Sequence, residues 1–324
     1  MSFRLERLLT RADLAEELRR DAREGLTATP KRMRSRWLWD ERGSALYERI
    51  MELPAYYLPE AERALLELRA GEIADVTRPR TVIELGSGSS VKTTILLDAL
   101  PELERFVAID VSESALADAG PRLAVRYPYL EVLGVVDDFE RRLRGSFEET
   151  LVICLGSTIG ALDPEDRASL LAAVASALAD DGALLLGLDL VKPVERILAA
   201  YNDGEGLSAA LIANLLPILN RELGADFRPE LFQPEAAWNP ALARMEMVVR
   251  SLTDQTVTLR AIELVVEFAE GEALRTEIST KFRREGVERE LAGAGLGLAG
   301  WWTDDPGDFA LCLARPVPER RQTA

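Results

Sequence analysis

No histidine occurs anywhere in the 324 residues. That absence excludes a histidine general base, a Ser-His triad and any His-ligated metal. Cysteine is nearly as scarce: Cys154 and Cys312 are the whole complement, each inside an apolar run, LVICLG and FALCLA. Two isolated thiols make neither a disulfide framework nor a zinc site, so no metal is expected, and the thiols read as core residues in a reducing cytoplasm. Positive charge is short as well. Lys plus Arg number 39 against 55 Asp plus Glu, a net charge of −16. That balance argues against a nucleic-acid partner and against attachment to an anionic membrane surface. Long apolar runs are also missing: the stretch from Leu170 to Leu190 is broken by Asp180, Asp181 and Gly182, so it cannot span a bilayer. The opening stretch MSFRLERLLTRADLAEELRRDAREG is charged throughout and reads as an amphipathic helix without the apolar centre of a secretory signal. A soluble, cytoplasmic protein is the expectation.

Hydrophobic residues make up 48% and charged residues 29%, enough for a sizeable core, and the length suits one large domain or a core with an insertion. Residues 1 to about 60 carry Pro30, Pro54 and Pro59 among Trp37, Trp39, Tyr47, Tyr56 and Tyr57, a texture of short helices and loops. From 61 to 195 strand and helix patterns alternate. TVIEL (81–85), FVAID (106–110), LEVLGVV (130–136), LVICLG (151–156) and GALLLGLDLV (182–191) read as strands, with helical segments between them. Such βαβ units imply a parallel, doubly wound sheet. From 196 to 285 the rhythm stops. A helix is expected over LSAALIANLLPILNRELG, then an antiparallel pair of VTLRAIELVVEF (257–268) and LRTEISTKF (274–282) turning at Gly271. A last helix, VERELAGAGL, leads to WWTDDPGDFALCLA, a closing hairpin around Pro306 and Gly307. The boundaries read as three parts: an N-terminal helical segment (1–60), a core (61–195 and 286–324) and an inserted domain (196–285).

After the first core strand comes Glu84-Leu85-Gly86-Ser87-Gly88-Ser89-Ser90, leading into a helix near Lys92. Glycines at this turn let the backbone approach a ligand closely. The third glycine of the dinucleotide fingerprint is replaced by Val91, which weakens a nicotinamide-dependent oxidoreductase reading. The pattern E-x-G-x-G instead resembles motif I of class I S-adenosylmethionine (SAM)-dependent methyltransferases. Asp110 ends the second strand, where a carboxylate accepts from two ribose hydroxyls. Asp138 follows the third, where an acid accepts from an adenine amino group and Phe139 stacks on the ring. One acid at a strand end is most simply a solvated loop residue; a glycine turn and two acids in order and spacing point to a cofactor site.

The segments GLTATPK (25–31), LPAYYLPEAE (53–62), ELGSGSSVKT (84–93), LGSTIG (155–160), LLLGLDLVK (184–192), RMEM (244–247), EISTKF (277–282) and WWTDDPGDFALCLA (301–314) stand in order along nearly the whole chain. Together they closely resemble the histidine Nα-methyltransferases of ergothioneine biosynthesis. The resemblance implies a Rossmann-like class I methyltransferase sheet with a smaller α+β substrate-binding domain, to which residues 1–60 contribute. It implies SAM as cofactor, held by Gly86, Lys92, Asp110, Asp138 and Phe139. It implies a substrate pocket of Trp39, Tyr56, Gly156, Thr158, Ala161, Tyr201, Met247, Glu277 and Ser279. The activity implied is trimethylation of the α-amino group of L-histidine to hercynine by a monomer whose only partner is a small-molecule amino acid. Glu277 and Ser279 lie two apart on an alternating strand, so both face one side, and a carboxylate beside a hydroxyl suits an imidazole N–H.

Two positions depart from the family. Ala161 stands where the family has an Asn that helps bind the amino-acid head group, a loss of about 1–3 kcal/mol if nothing replaces the amide. Trp39 stands where a Tyr contacts the substrate amine; it keeps a flat aromatic face for a methylated cation and loses the hydroxyl. Both changes fall near the α-amino group, so a methyltransferase for another amino acid or amine is a rival reading, and a non-catalytic SAM-binding protein a lesser one. No residue is assigned as a catalytic base. Tyr56 and Tyr201 read as positioning groups, because an ordinary phenol is a weak base at neutral pH.

Overall fold

The computed structural model describes residues 3–88, 90–139 and 147–317. They divide into two compact units, one drawn from Met1–Leu8, Leu58–Val191 and Lys281–Ala324, the other from Leu9–Tyr57 and Lys192–Thr280.

The first unit is an eight-stranded sheet covered by helices. Its elements are β1 (Arg4–Arg7), α1 (Leu58–Thr77), β2 (Thr81–Leu85), α2 (Thr93–Asp98), β3 (Arg105–Asp110), α3 (Glu113–Arg126), β4 (Glu131–Val136), β5 (Thr150–Cys154), α4 (Pro164–Ala177), β6 (Ala183–Asp189), α5 (Arg284–Gly293), β7 (Leu296–Thr303) and β8 (Phe309–Pro316). The strand order is β1-β4-β3-β2-β5-β6-β8-β7. The first six strands run parallel, and β8 pairs antiparallel with both β6 and β7. Strands buried on both faces are nearly continuous in apolar residues, and β5 and β6 are buried throughout, with Thr150 and Asp189 at their ends as the polar exceptions. Alternate side chains feed two layers. Val82, Phe106, Leu151, Ile153 and Leu185 pack with Leu65, Leu66 and Ile73 of α1 on one face. Ile83, Val152, Cys154, Leu184 and Leu186 pack with Leu170 and Val174 of α4 and Leu291 of α5 on the other. The order reverses direction between β2 and β5, so the carboxyl ends of these two strands form the switch point at which such sheets bind ligands.

In the second unit a four-stranded sheet runs in the order Lys31–Arg32, Ala273–Thr280, Arg244–Ser251, Phe232–Asn239. A separate hairpin joins Gln255–Leu259 to Leu264–Phe268. Helices Arg11–Thr27, Glu41–Met51, Val194–Tyr201, Leu207–Ala213 and Leu215–Leu223 complete the unit.

Four expectations need correction. The opening stretch is not one helix: Arg4–Arg7 is an edge strand parallel to β4, and the helix begins at Arg11. A reciprocal capping box sets that start, Thr10 accepting from the Asp13 N–H and Asp13 accepting from the Thr10 N–H. The helix expected over 207–224 is two helices meeting at Asn214, whose amide donates to Leu38 O at 3.3 Å and to Asp40 Oδ1 at 2.8 Å. The segment 257–268 is a hairpin in itself, because its buried residues change parity from Val257 and Leu259 to Val266 and Phe268 across a left-handed Glu263. Accordingly the strand Ala273–Thr280 does not pair with 257–268 across Gly271; it pairs antiparallel with Arg244–Ser251.

Candidate active site

The turn after β2 carries the first of the expected site residues. Gly86 and Gly88 both take positive φ, 70° and 49°. A Cβ on Gly86 would lie 3.2 Å from Thr158 Cγ2 and 3.4 Å from Phe139 Cε1, so only glycine lets these three segments close together. A Cβ on Gly88 would meet nothing within 4 Å among the described residues. Ser89 lies outside the described residues. Asp110, at the end of β3, accepts from the Gly88 N–H at 2.9 Å and from the Ser112 N–H at 2.8 Å. Burial pushes its carboxyl up from the ordinary value while these backbone bonds pull it down. Asp138, 2% exposed, sits just past β4, next to Phe139.

Glu84 of the same motif is buried and accepts from Ser90 Oγ at 2.9 Å and Thr93 Oγ1 at 2.5 Å. Burial raises its pKa to about 7, with the two hydroxyls and the Lys92 ammonium opposing. Lys92 itself is paired with Glu62 of α1. Glu62 also accepts the Gly156 N–H at 2.6 Å. The loop after β5 makes two consecutive left-handed steps, Gly156 (φ 71°) and Ser157 (φ 57°). Ser157 Oγ then accepts the Asp189 N–H at 3.0 Å, Thr158 donates to Leu155 O at 2.8 Å, and a 3-10 turn ends at half-buried Ala161.

The switch point thus gathers Gly86, Lys92, Phe139, Gly156 and Thr158, with Asp110 on the neighbouring strand end. The donor set suits an adenosyl group carrying an amino-acid tail: a glycine turn, a carboxylate fixed by two backbone N–H groups, an aromatic ring against the turn and an ammonium. Among the described residues no cluster of His, Cys, Asp and Glu is arranged for a metal ion, and no helix is long and apolar enough to cross a membrane.

The second unit holds the other expected residues. Met247 stands directly opposite Glu277, and Met245 opposite Ser279, so all four side chains share one sheet face while Ile278 and Thr280 take the other. A register shift between Arg275 and Glu277 puts Glu277 on that face, an arrangement that a regular strand could not give together with buried Leu274 opposite Val249. Tyr201 donates its hydroxyl to Ser279 Oγ at 2.8 Å. From Tyr201 a series of edge-on rings continues through Tyr56 (centroids 6.0 Å apart), Tyr47 (6.1 Å) and Trp39 (5.2 Å). The Tyr56 and Tyr47 hydroxyl oxygens are 3.4 Å apart. Burial, then neighbouring Tyr47 and Tyr201, drive the Tyr56 phenol well above its ordinary pKa, which keeps it protonated and removes it as a base. Trp37 and Tyr57 are occupied elsewhere: Trp37 Nε1 donates to Asp21 at 2.9 Å, and Lys192 donates to the Tyr57 hydroxyl at 2.5 Å.

Two residues, one in each unit, were not expected from the sequence. Tyr47 was legible only as one aromatic among five. Glu62 left a clearer signal, a charge within the apolar stripe formed by Leu58, Leu65 and Leu66 on α1.

The profile of a family described as histidine-specific, SAM-dependent methyltransferases matches residues 18–316. A histidine N-alpha-methyltransferase of Mycolicibacterium smegmatis is 44% identical over 320 residues, 97% of this chain and 99% of that protein. Its namesake in Mycobacterium tuberculosis is 44% identical over 304 residues, 92% of this chain and 94% of that one. Ergothioneine biosynthesis protein 1 of Neurospora crassa is 28% identical over 290 residues, 85% of this chain and 32% of that protein. With a glycine turn and strand-end acids at its switch point, and a match running through both units, this chain belongs to the histidine-specific, SAM-dependent methyltransferase family.

Proposed function

We propose that the chain trimethylates the α-amino group of L-histidine, a step of ergothioneine biosynthesis. The observation that carries the substrate is the Glu277–Ser279 face: a carboxylate and a hydroxyl side by side, the hydroxyl oriented by Tyr201 and the face completed by the apolar Met247. A neutral imidazole offers a donor N–H for the carboxylate, an acceptor nitrogen for the hydroxyl and a flat ring face for the methionine. In this reading Gly86, Lys92, Asp110, Asp138 and Phe139 hold the cofactor, which supplies a methyl group from its sulfonium. Gly156 and Thr158 are carried over as substrate-facing from the family resemblance. Trp39, Tyr47, Tyr56 and Tyr201 offer ring faces and edges to an amine that gains permanent positive charge with its third methyl. Protonated Tyr56 orients rather than deprotonates the amine. Transfer between two bound groups needs alignment above all, and no histidine is present to take the released proton.

Glu277→Gln tests this assignment. The amide keeps the shape and loses the charge, so the KM for histidine rises at least tenfold while cofactor affinity, read by calorimetry, stays within twofold. An unchanged KM would remove Glu277 from the substrate site.

Ala161 favours a second reading. Its methyl group offers no hydrogen bond at the end of the 3-10 turn after Gly156, so a substrate amine or carboxylate there must find another partner or differ from that of histidine. We further place the enzyme in the cytoplasm as a monomer without a nucleic-acid partner. The net charge of −16 supports this, as do two buried thiols, both pushed up to about 12 by burial.

A further inference from the structure

Glu62 has no place in the chemistry described so far, yet its side chain is 0% exposed. A carboxylate taken wholly out of water is costly unless it is paired and hydrogen-bonded. Its two oxygens divide between two loops. Oε2 is paired with Lys92, at the end of the glycine turn after β2, and Oε1 accepts the N–H of Gly156, in the left-handed turn after β5. These are the two strands that flank the switch point. The site is also cut to receive the carboxylate from below: on β6 the facing residue is Gly187, where any Cβ would collide with Glu62 Oε1. The Lys92 ammonium in turn lies 3.7 Å from where a Cβ of Gly156 would stand, so carboxylate, ammonium and the turn form one cluster.

An ion pair serving only to join a helix to a sheet needs neither a strand glycine cleared for it nor a second bond to a strained turn. We propose that Glu62 is a positioning residue for the cofactor site, fixing the Lys92 ammonium and the Gly156 turn relative to each other across the switch point. It touches no reactant in this account; it acts through Lys92 and Gly156, and the inference rests on their assignment to the site.

The test is calorimetric titration of the full-length chain with SAM, beside thermal unfolding without cofactor. Glu62→Gln keeps an acceptor for the Gly156 N–H and removes the charge opposite Lys92; cofactor affinity should fall at least tenfold with circular dichroism unchanged. Gly187→Ala leaves Glu62 and Lys92 intact and crowds the carboxylate from the strand, and should weaken binding in the same direction. Val174→Ala, in the opposite core layer, supplies a destabilised control whose affinity should stay within twofold. Affinities of both site variants within twofold of wild type, whatever their melting temperatures, would overturn the proposal. If Glu62→Gln does not fold, Gly187→Ala decides alone. Because histidine is absent from the titration, a wild-type chain that binds SAM but leaves histidine unmethylated would sink the substrate reading and leave this one standing on affinity.

Discussion

A carboxyl group with a pKa near 7 inside the cofactor motif has consequences for stability. Glu84 is raised from an unfolded value near 4.5 to about 7, chiefly by burial. Because the folded state holds the proton more tightly, its contribution to stability is complete below pH 4.5 and is lost as pH rises through 7. The full swing is on the order of 3 kcal/mol. Urea unfolding of the cofactor-free chain should therefore show wild type losing stability between pH 5 and 7.5, and Glu84→Gln, whose amide oxygen still accepts from Ser90 and Thr93, losing markedly less. Parallel curves for the two proteins would contradict the burial argument. Ala161 makes a second prediction at this scale. If the 3-10 turn lacks only a head-group amide, Ala161→Asn restores one hydrogen bond of about 1 kcal/mol and lowers the KM for histidine roughly fivefold. A higher KM would mean that the space is already filled. Residue types were readable in the sequence here, since Gly86, Asp110 and Phe139 sit where motif spacing put them. Glu62 showed only as a charge within an apolar helix stripe; its role was hidden, because its partners come from other loops.

Among the elements, legibility followed burial. The core strands Thr81–Leu85 and Arg105–Asp110 emerge within a residue of their apolar runs, since strands covered on both faces are nearly continuous in apolar residues, Glu84 being an exception inside the first. The closing hairpin likewise follows its turn at Pro306 and Gly307. In the second unit one face carries the pattern, and a shift of parity or a bulge costs only one residue, which periodicity cannot locate. The turn at Glu263 and the register shift before Glu277 are both of this kind. Glu263 holds a left-handed conformation (φ 50°) that a side chain opposes. Glu263→Gly should then stabilise the chain by about 1 kcal/mol in urea unfolding with the KM for histidine unchanged. Destabilisation would show that its side chain has an uncounted role.

At the scale of the whole molecule, composition set limits that the fold respects. A chain without histidine carries out an amine's methylation by alignment, and every aromatic in the series from Trp39 to Tyr201 belongs to the same compact unit as the Glu277–Ser279 face. The glycine turn, the strand-end acids and the LGSTIG loop belong to the other. What composition could not convey is which amino acid the enzyme accepts, because that depends on a few groups around one amine. Mass spectrometry of the products formed from SAM and a panel of amino acids and amines, histidine and histamine among them, tests the central claim most directly. Histidine carrying three added methyl groups, formed faster than any other product, is the expected result. Histidine left untouched while another member of the panel is methylated would contradict it.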